Sequence, residues 1–153
     1  MDEGLTTFVQ YLAEQEFGEK YPEIIAPLDK FPSDRGPAQL ITDYMSVDQN
    51  FLAPIMSNPE NVYYLGPNAY GKPAAALNIL RETIMGKELF DYAFKTYSQR
   101  WMFKHPTPED FFRTMEDASA VDLDWFWRGW FYTTDYVDIG LKEVNQYFVS
   151  PDP

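Results

Sequence analysis

Apolar residues recur at helical spacing through most of this chain, and prolines and glycines divide them into segments. In the first segment Leu5, Phe8, Val9 and Leu12 fall at i, i+3, i+4 and i+7, which predicts a helix with one buried stripe. Phe17-Gly18 reads as its end, because glycine readily closes a helix. Residues 19–35 carry Pro22, Pro27 and Pro32 among scattered charges and predict irregular connection with at most short helical turns. Leu40, Ile41, Tyr44 and Met45 mark a second helix from Pro37 to about Asp48. From Asn50 to Asn68 the breakers Pro54, Pro59, Gly66 and Pro67 predict a long surface stretch, a kind of loop that is often functional.

The second half is denser in helical pattern. Tyr70, Ala74, Leu77, Leu80 and Ile84 line one face of a helix ending at Met85-Gly86. Leu89, Phe90, Ala93, Phe94, Tyr97 and Trp101 do the same for the next, which runs to about Met102. Thr107-Pro108-Glu109-Asp110 is a well-specified helix start: a capping threonine, proline at the first helical position, and an acid where a capping box wants one. Phe111, Phe112, Met115 and Ala118 form that helix's buried stripe, and Leu123, Phe126, Trp127 and Trp130 form the stripe of a last helix entered through Asp122. Residues 136–149 turn to Val, Ile and Tyr in loose alternation, which predicts a short strand or an extended tail. The pattern as a whole is all-α, with no internal repeat and no low-complexity segment.

Composition narrows the function classes. The chain's 153 residues suffice for one domain with a real core, and 18% of them are aromatic. A formal net charge of −12 argues against nucleic acid and against an anionic membrane as partners. The absence of cysteine excludes disulfide frameworks and Cys-based zinc sites. No apolar run approaches a membrane span, and no secretory leader is visible at the N-terminus. The chain opens abruptly on its first helix, as if a longer one had been cut just ahead of Asp2.

Candidate chemistry is sparse when each residue is taken singly. Glu3, with Asp2, suits the positive end of the helix dipole. Tyr70, at a helix start after a breaker-rich loop, can aim a hydroxyl into a cleft or simply pack. His105 is the sole histidine, with no nucleophile motif near any serine, and fits a turn residue. The run Trp125-Phe126-Trp127 with Trp130 and Phe131 reads as core plus one exposed or domain-contacting face. No glycine-rich phosphate loop is present.

In order and register, however, three stretches resemble the M1 family of zinc metallopeptidases, the gluzincin aminopeptidases. Met1-Asp2-Glu3-Gly4-Leu5-Thr6-Thr7-Phe8-Val9-Gln10-Tyr11 resembles the segment that carries the third zinc ligand, and Glu3 falls on that ligand. Tyr70-Gly71-Lys72-Pro73-Ala74 is similar to the family's Tyr-x-Lys-Gly/Pro-Ala pattern, 67 residues on. Thr107-Pro108-Glu109-Asp110-Phe111-Phe112 through Leu123, and the Phe-and-Trp segment up to Tyr132-Thr133-Thr134, resemble the family's closing helices. The departures are the lack of an HExxH and of a Gly-x-Met-Glu-Asn segment, and proline at position 73 where many members of the family have alanine or glycine.

The resemblance implies the helical, C-terminal part of a gluzincin (thermolysin-like) catalytic domain over residues 1–135, with 136–153 a tail or the start of a following domain. It implies Glu3 as a metal ligand and Tyr70 as a catalytic donor to the oxyanion, in a parent that binds zinc and removes N-terminal residues from peptides. The fragment itself is expected to be inactive, to hold no tight zinc site, and to have the remaining peptidase domains as its partner in cis. The stripe Leu5, Phe8, Val9, Leu12 is expected to be partly orphaned and to favour self-association. Two other readings stay open: a free-standing acidic helical module that binds a protein partner, and a naturally inactive peptidase-like scaffold.

Overall fold

The computed structural model describes residues 1–28, 36–137 and 139–147. Among these, every regular element is helical: α1 (Asp2–Lys20), α2 (Pro22–Ile25), α3 (Pro37–Met45), α4 (Lys72–Ile79), α5 (Lys87–Trp101), α6 (Pro108–Ser119) and α7 (Asp124–Tyr132). No helix is long and apolar enough to cross a membrane among the described residues.

Helix α1 runs past the expected stop, and Gly18 lies inside it. What ends it is Pro22, the first residue of α2, because a proline disfavours helical backbone in the residue before it. Tyr21 accordingly sits at φ −131°, ψ 57°, and its N–H still donates to the Phe17 carbonyl at 2.9 Å. Helix α3 stops short of Asp48. That residue instead caps the following turn at Gln49–Phe51, its carboxylate accepting from the Asn50 N–H at 3.0 Å. Part of the expected connection lies in 29–35, outside the described residues.

The stretch from Asn50 to Asn68 is more than surface. Ile55 is buried, the Met56 N–H donates to the Phe131 carbonyl at 3.1 Å, and the buried Asn68 amide donates to the Ala53 carbonyl. The loop is therefore stitched to α7 and across its own base.

The helix expected from Tyr70 to Met85 is three pieces. A π turn, Pro67–Gly71, leads into α4, and a second, Leu80–Ile84, leads out of it. A π turn holds more residues than an α turn and breaks the rotational register of the side chains. Ala74, Leu77 and Leu80 stay buried as expected, but Tyr70 is rotated off that row and is 42% exposed.

Helix α4 is the centre of the molecule. It packs against α1 and α3 and reaches α7, while α5 pairs with α6. Ala74, Ala75 and Ala76 are all buried and let its neighbours approach closely. A chain of rings joins the two halves. Phe8 of α1 meets Phe90 edge-on at 5.6 Å, Phe94 meets Phe111 at 6.2 Å, and Phe112 stacks on Trp127 at 4.5 Å. Such pairs add about 0.5–1.5 kcal/mol each beyond their burial.

The start of α6 is as the sequence predicts. Thr107 Oγ1 accepts from the Asp110 N–H at 3.3 Å, and the Asp110 carboxylate accepts from the Thr107 N–H at 2.9 Å. Its stripe Phe111, Phe112 and Met115 is buried, as are Leu123, Phe126 and Trp127 leading into and along α7. Trp125 points outward, so the aromatic run is core with one exposed member. No strand forms among the described residues of the tail, where Val137, Ile139 and Leu141 are exposed.

On α1 only Phe8 of the expected stripe is fully buried; Leu5 and Leu12 are half-buried and Val9 is exposed. Leu5, Thr6, Val9, Gln10, Phe94 and Ser98 line an open groove of about 460 Å³ between α1 and α5.

Candidate functional site

Glu3 stands in the first turn of α1, and Tyr70 in the π turn ahead of α4. They are far apart in sequence, and the packing of α1 on the π turn and α4 brings them together. The closest contact is at Gly4. A Cβ placed there would collide with the Pro73 ring, lying 2.5 Å from Pro73 Cβ and 3.2 Å from the Ala74 nitrogen. Only a residue without a side chain lets the two helix starts approach this closely. On the other side of the joint, Gly71 faces α3, where an added Cβ would stand 3.3 Å from the Leu40 carbonyl oxygen.

The result is a phenol beside a carboxylate at an open edge. The Tyr70 pKa is raised, first by a loose hydrogen bond toward Glu3 and by that carboxylate's charge, then by slight burial and the charge of Asp2. Tyr70 therefore stays protonated well beyond neutral pH and is available as a hydrogen-bond donor. The Glu3 carboxylate is exposed; the Thr7 hydroxyl donates to its main-chain carbonyl at 2.8 Å, leaving the side chain to Tyr70 or to a ligand.

Lys72 follows at once and is 3% exposed. Its Nζ donates to the Tyr44 hydroxyl at 3.2 Å and to the Thr133 carbonyl at 3.0 Å, and stands 4.8 Å from the Tyr44 ring centre. Burial lowers its pKa to about 8, opposed by the charge of Asp135. Between pH 8 and 10 the unfolded chain still holds a proton at Lys72 that the folded chain has released, so this residue's contribution to stability rises with pH in that window and is constant below it. We predict a gain of about 2 kcal/mol from pH 8 to pH 10 in urea unfolding. Lys72→Met should abolish it; an equal slope in the variant would assign the titration elsewhere.

Among the described residues, no group of three metal-ligating side chains includes Glu3. Asp2 is 96% exposed. Among the described residues the one group of three metal-ligating side chains is Glu116, Asp122 and Asp124, at the turn between α6 and α7. Two of these carboxylates already cap the entry to α7: Glu116 accepts from the Leu123 N–H at 2.9 Å and Asp122 from the Asp124 N–H at 3.1 Å. Zinc at a catalytic site takes three protein ligands, and Glu3 belongs to no such group among the described residues.

The sequence-predicted pair Glu3 and Tyr70 is therefore juxtaposed, while His105 lies exposed in the turn before α6. Lys72 and the Gly4–Pro73 contact were not singled out. A signal for the lysine existed: it is the one cation in the run Gly71-Lys72-Pro73-Ala74-Ala75-Ala76, whose small and apolar members suit a helix buried on all sides.

No curated protein and no solved structure matches the chain significantly. The model of the peptidase family M1 domain matches residues 1–130, which run from α1 into α7 and contain both Glu3 and Tyr70. The chain belongs to the M1 peptidase family.

Proposed function

We propose that this chain supplies two working groups of a zinc aminopeptidase centre, Glu3 as an anionic zinc ligand and Tyr70 as donor to the oxyanion of the tetrahedral intermediate. The observation that carries the reading is their meeting at one open edge, held by the Gly4–Pro73 contact. Family membership supports a peptidase with peptide substrates; removal of N-terminal residues and the two roles are our inference.

Each residue's part follows from its chemistry. A carboxylate in a helix's first turn is an oxygen ligand held on a rigid element. A phenol that keeps its proton donates to negative charge as it develops on a carbonyl oxygen, an arrangement worth most when the donor is fixed beforehand. The sequence holds one histidine and no cysteine, so His105 apart, any further zinc ligand from this chain would be a carboxylate.

The isolated chain should accordingly bind zinc no tighter than micromolar and release no amino acid from peptide substrates. Calorimetric titration with zinc and an aminopeptidase assay check this. Submicromolar zinc binding, or turnover that zinc restores, would show that the chain builds a site from residues other than those named.

A further inference from the structure

The Lys72 ammonium is buried and its hydrogen bonds go to the Tyr44 hydroxyl and the Thr133 carbonyl, while Asp135 acts on it through charge and only partly offsets the burial. Burying a charge on neutral partners is costly, and an apolar side chain of similar length would fill the same space without that cost. Lowered basicity is the mark of this cost in the folded chain. Packing alone does not account for the residue.

Its place in the fold does. Lys72 sits at the junction where the π turn of Tyr70 becomes α4. Lys72 is 3% exposed and Tyr70 42% exposed, so the two side chains leave the junction on different sides. Lys72 points inward where Tyr70 points outward, so a fixed Lys72 sets the rotation of the turn that aims the phenol. Its two hydrogen bonds reach α3 and the residue just after α7, separated from it by 28 and 61 positions. With Gly4 pressed on Pro73 and Leu40 on Gly71, the junction is held from α1, α3 and the end of α7. We infer that Lys72 is a positioning residue for Tyr70, a buried tether to α3 and to the end of α7 that fixes the π turn and so the distance of the phenol from Glu3. The inference rests on Tyr70 being the working phenol, but its geometry does not depend on zinc.

The test places a fluorotyrosine at position 70 of the full chain and follows its 19F resonance. The readout is how far Glu3→Gln moves that resonance, which reports the juxtaposition without metal or substrate. In the chain with Lys72 intact the shift is expected to be clear, and in Lys72→Met it should fall to less than half. Lys72→Arg, which keeps charge and donors, should restore most of it. Circular dichroism on each variant confirms folding. An undiminished response in folded Lys72→Met overturns the inference. If that variant does not fold, Tyr44→Phe removes one tether bond and keeps the ring: a reduced response supports the inference and an unchanged one overturns it. Absence of any response with Lys72 intact would remove the juxtaposition and the inference with it. Failure of the zinc reading would instead appear in metal binding and leave these shifts unaffected.

Discussion

Gly4→Ala should destabilise the chain by about 2 kcal/mol or more, although alanine normally gains about 1 kcal/mol over glycine inside a helix. The added carbon has nowhere to go, because the Pro73 ring occupies its place and the main chain at Ala74 stands just behind. Relief requires α1 to lift from the start of α4, and that movement carries Glu3 away from Tyr70 and loosens Phe8 from Phe90. Urea unfolding of the single variants and of Gly4→Ala/Pro73→Gly separates this from a general helix effect. With the ring removed, the double variant should lose less than the sum of the singles by well over 0.5 kcal/mol, the mark of residues in direct contact. Strict additivity would mean the contact is not what holds the two helices in register.

Tyr70→Phe is the second large effect, read in a fusion that places the family's HExxH segment ahead of Met1. If the phenol is the oxyanion donor, its loss should lower kcat by about 10²- to 10³-fold, as for other single donors to an oxyanion. KM should change little, since the interaction is made in the transition state rather than with bound substrate. The ring stays in place, so a loss through packing is not expected at a residue 42% exposed. A rise in KM with kcat intact would make Tyr70 a binding residue and remove it from the chemistry.

Much of the fold was legible because local signals agreed with one another. The start of α6 shows this best: cap, proline and reciprocal acid lie within four residues, and both capping bonds form. The stripes of α5, α6 and α7 were readable for the same reason. What escaped was set by neighbours in space. Gly18 stayed helical because Pro22, not a glycine, fixes where α1 must stop. The π turns on either side of α4 leave no mark in apolar spacing, and they decide that Tyr70 faces outward. Of the candidate site, Glu3 and Tyr70 were legible through resemblance to a family, since a first-turn acid alone suits any helix dipole. Why position 4 must be glycine became visible only when α1 lay against Pro73.

The central claim is that Glu3 and Tyr70 belong to one zinc centre, and zinc titration of the HExxH-bearing fusion tests it most directly. The account predicts one equivalent of zinc bound with submicromolar affinity, weakened at least tenfold by Glu3→Gln and unchanged by Tyr70→Phe. Equal zinc affinity in the fusion and in its Glu3→Gln variant would contradict it.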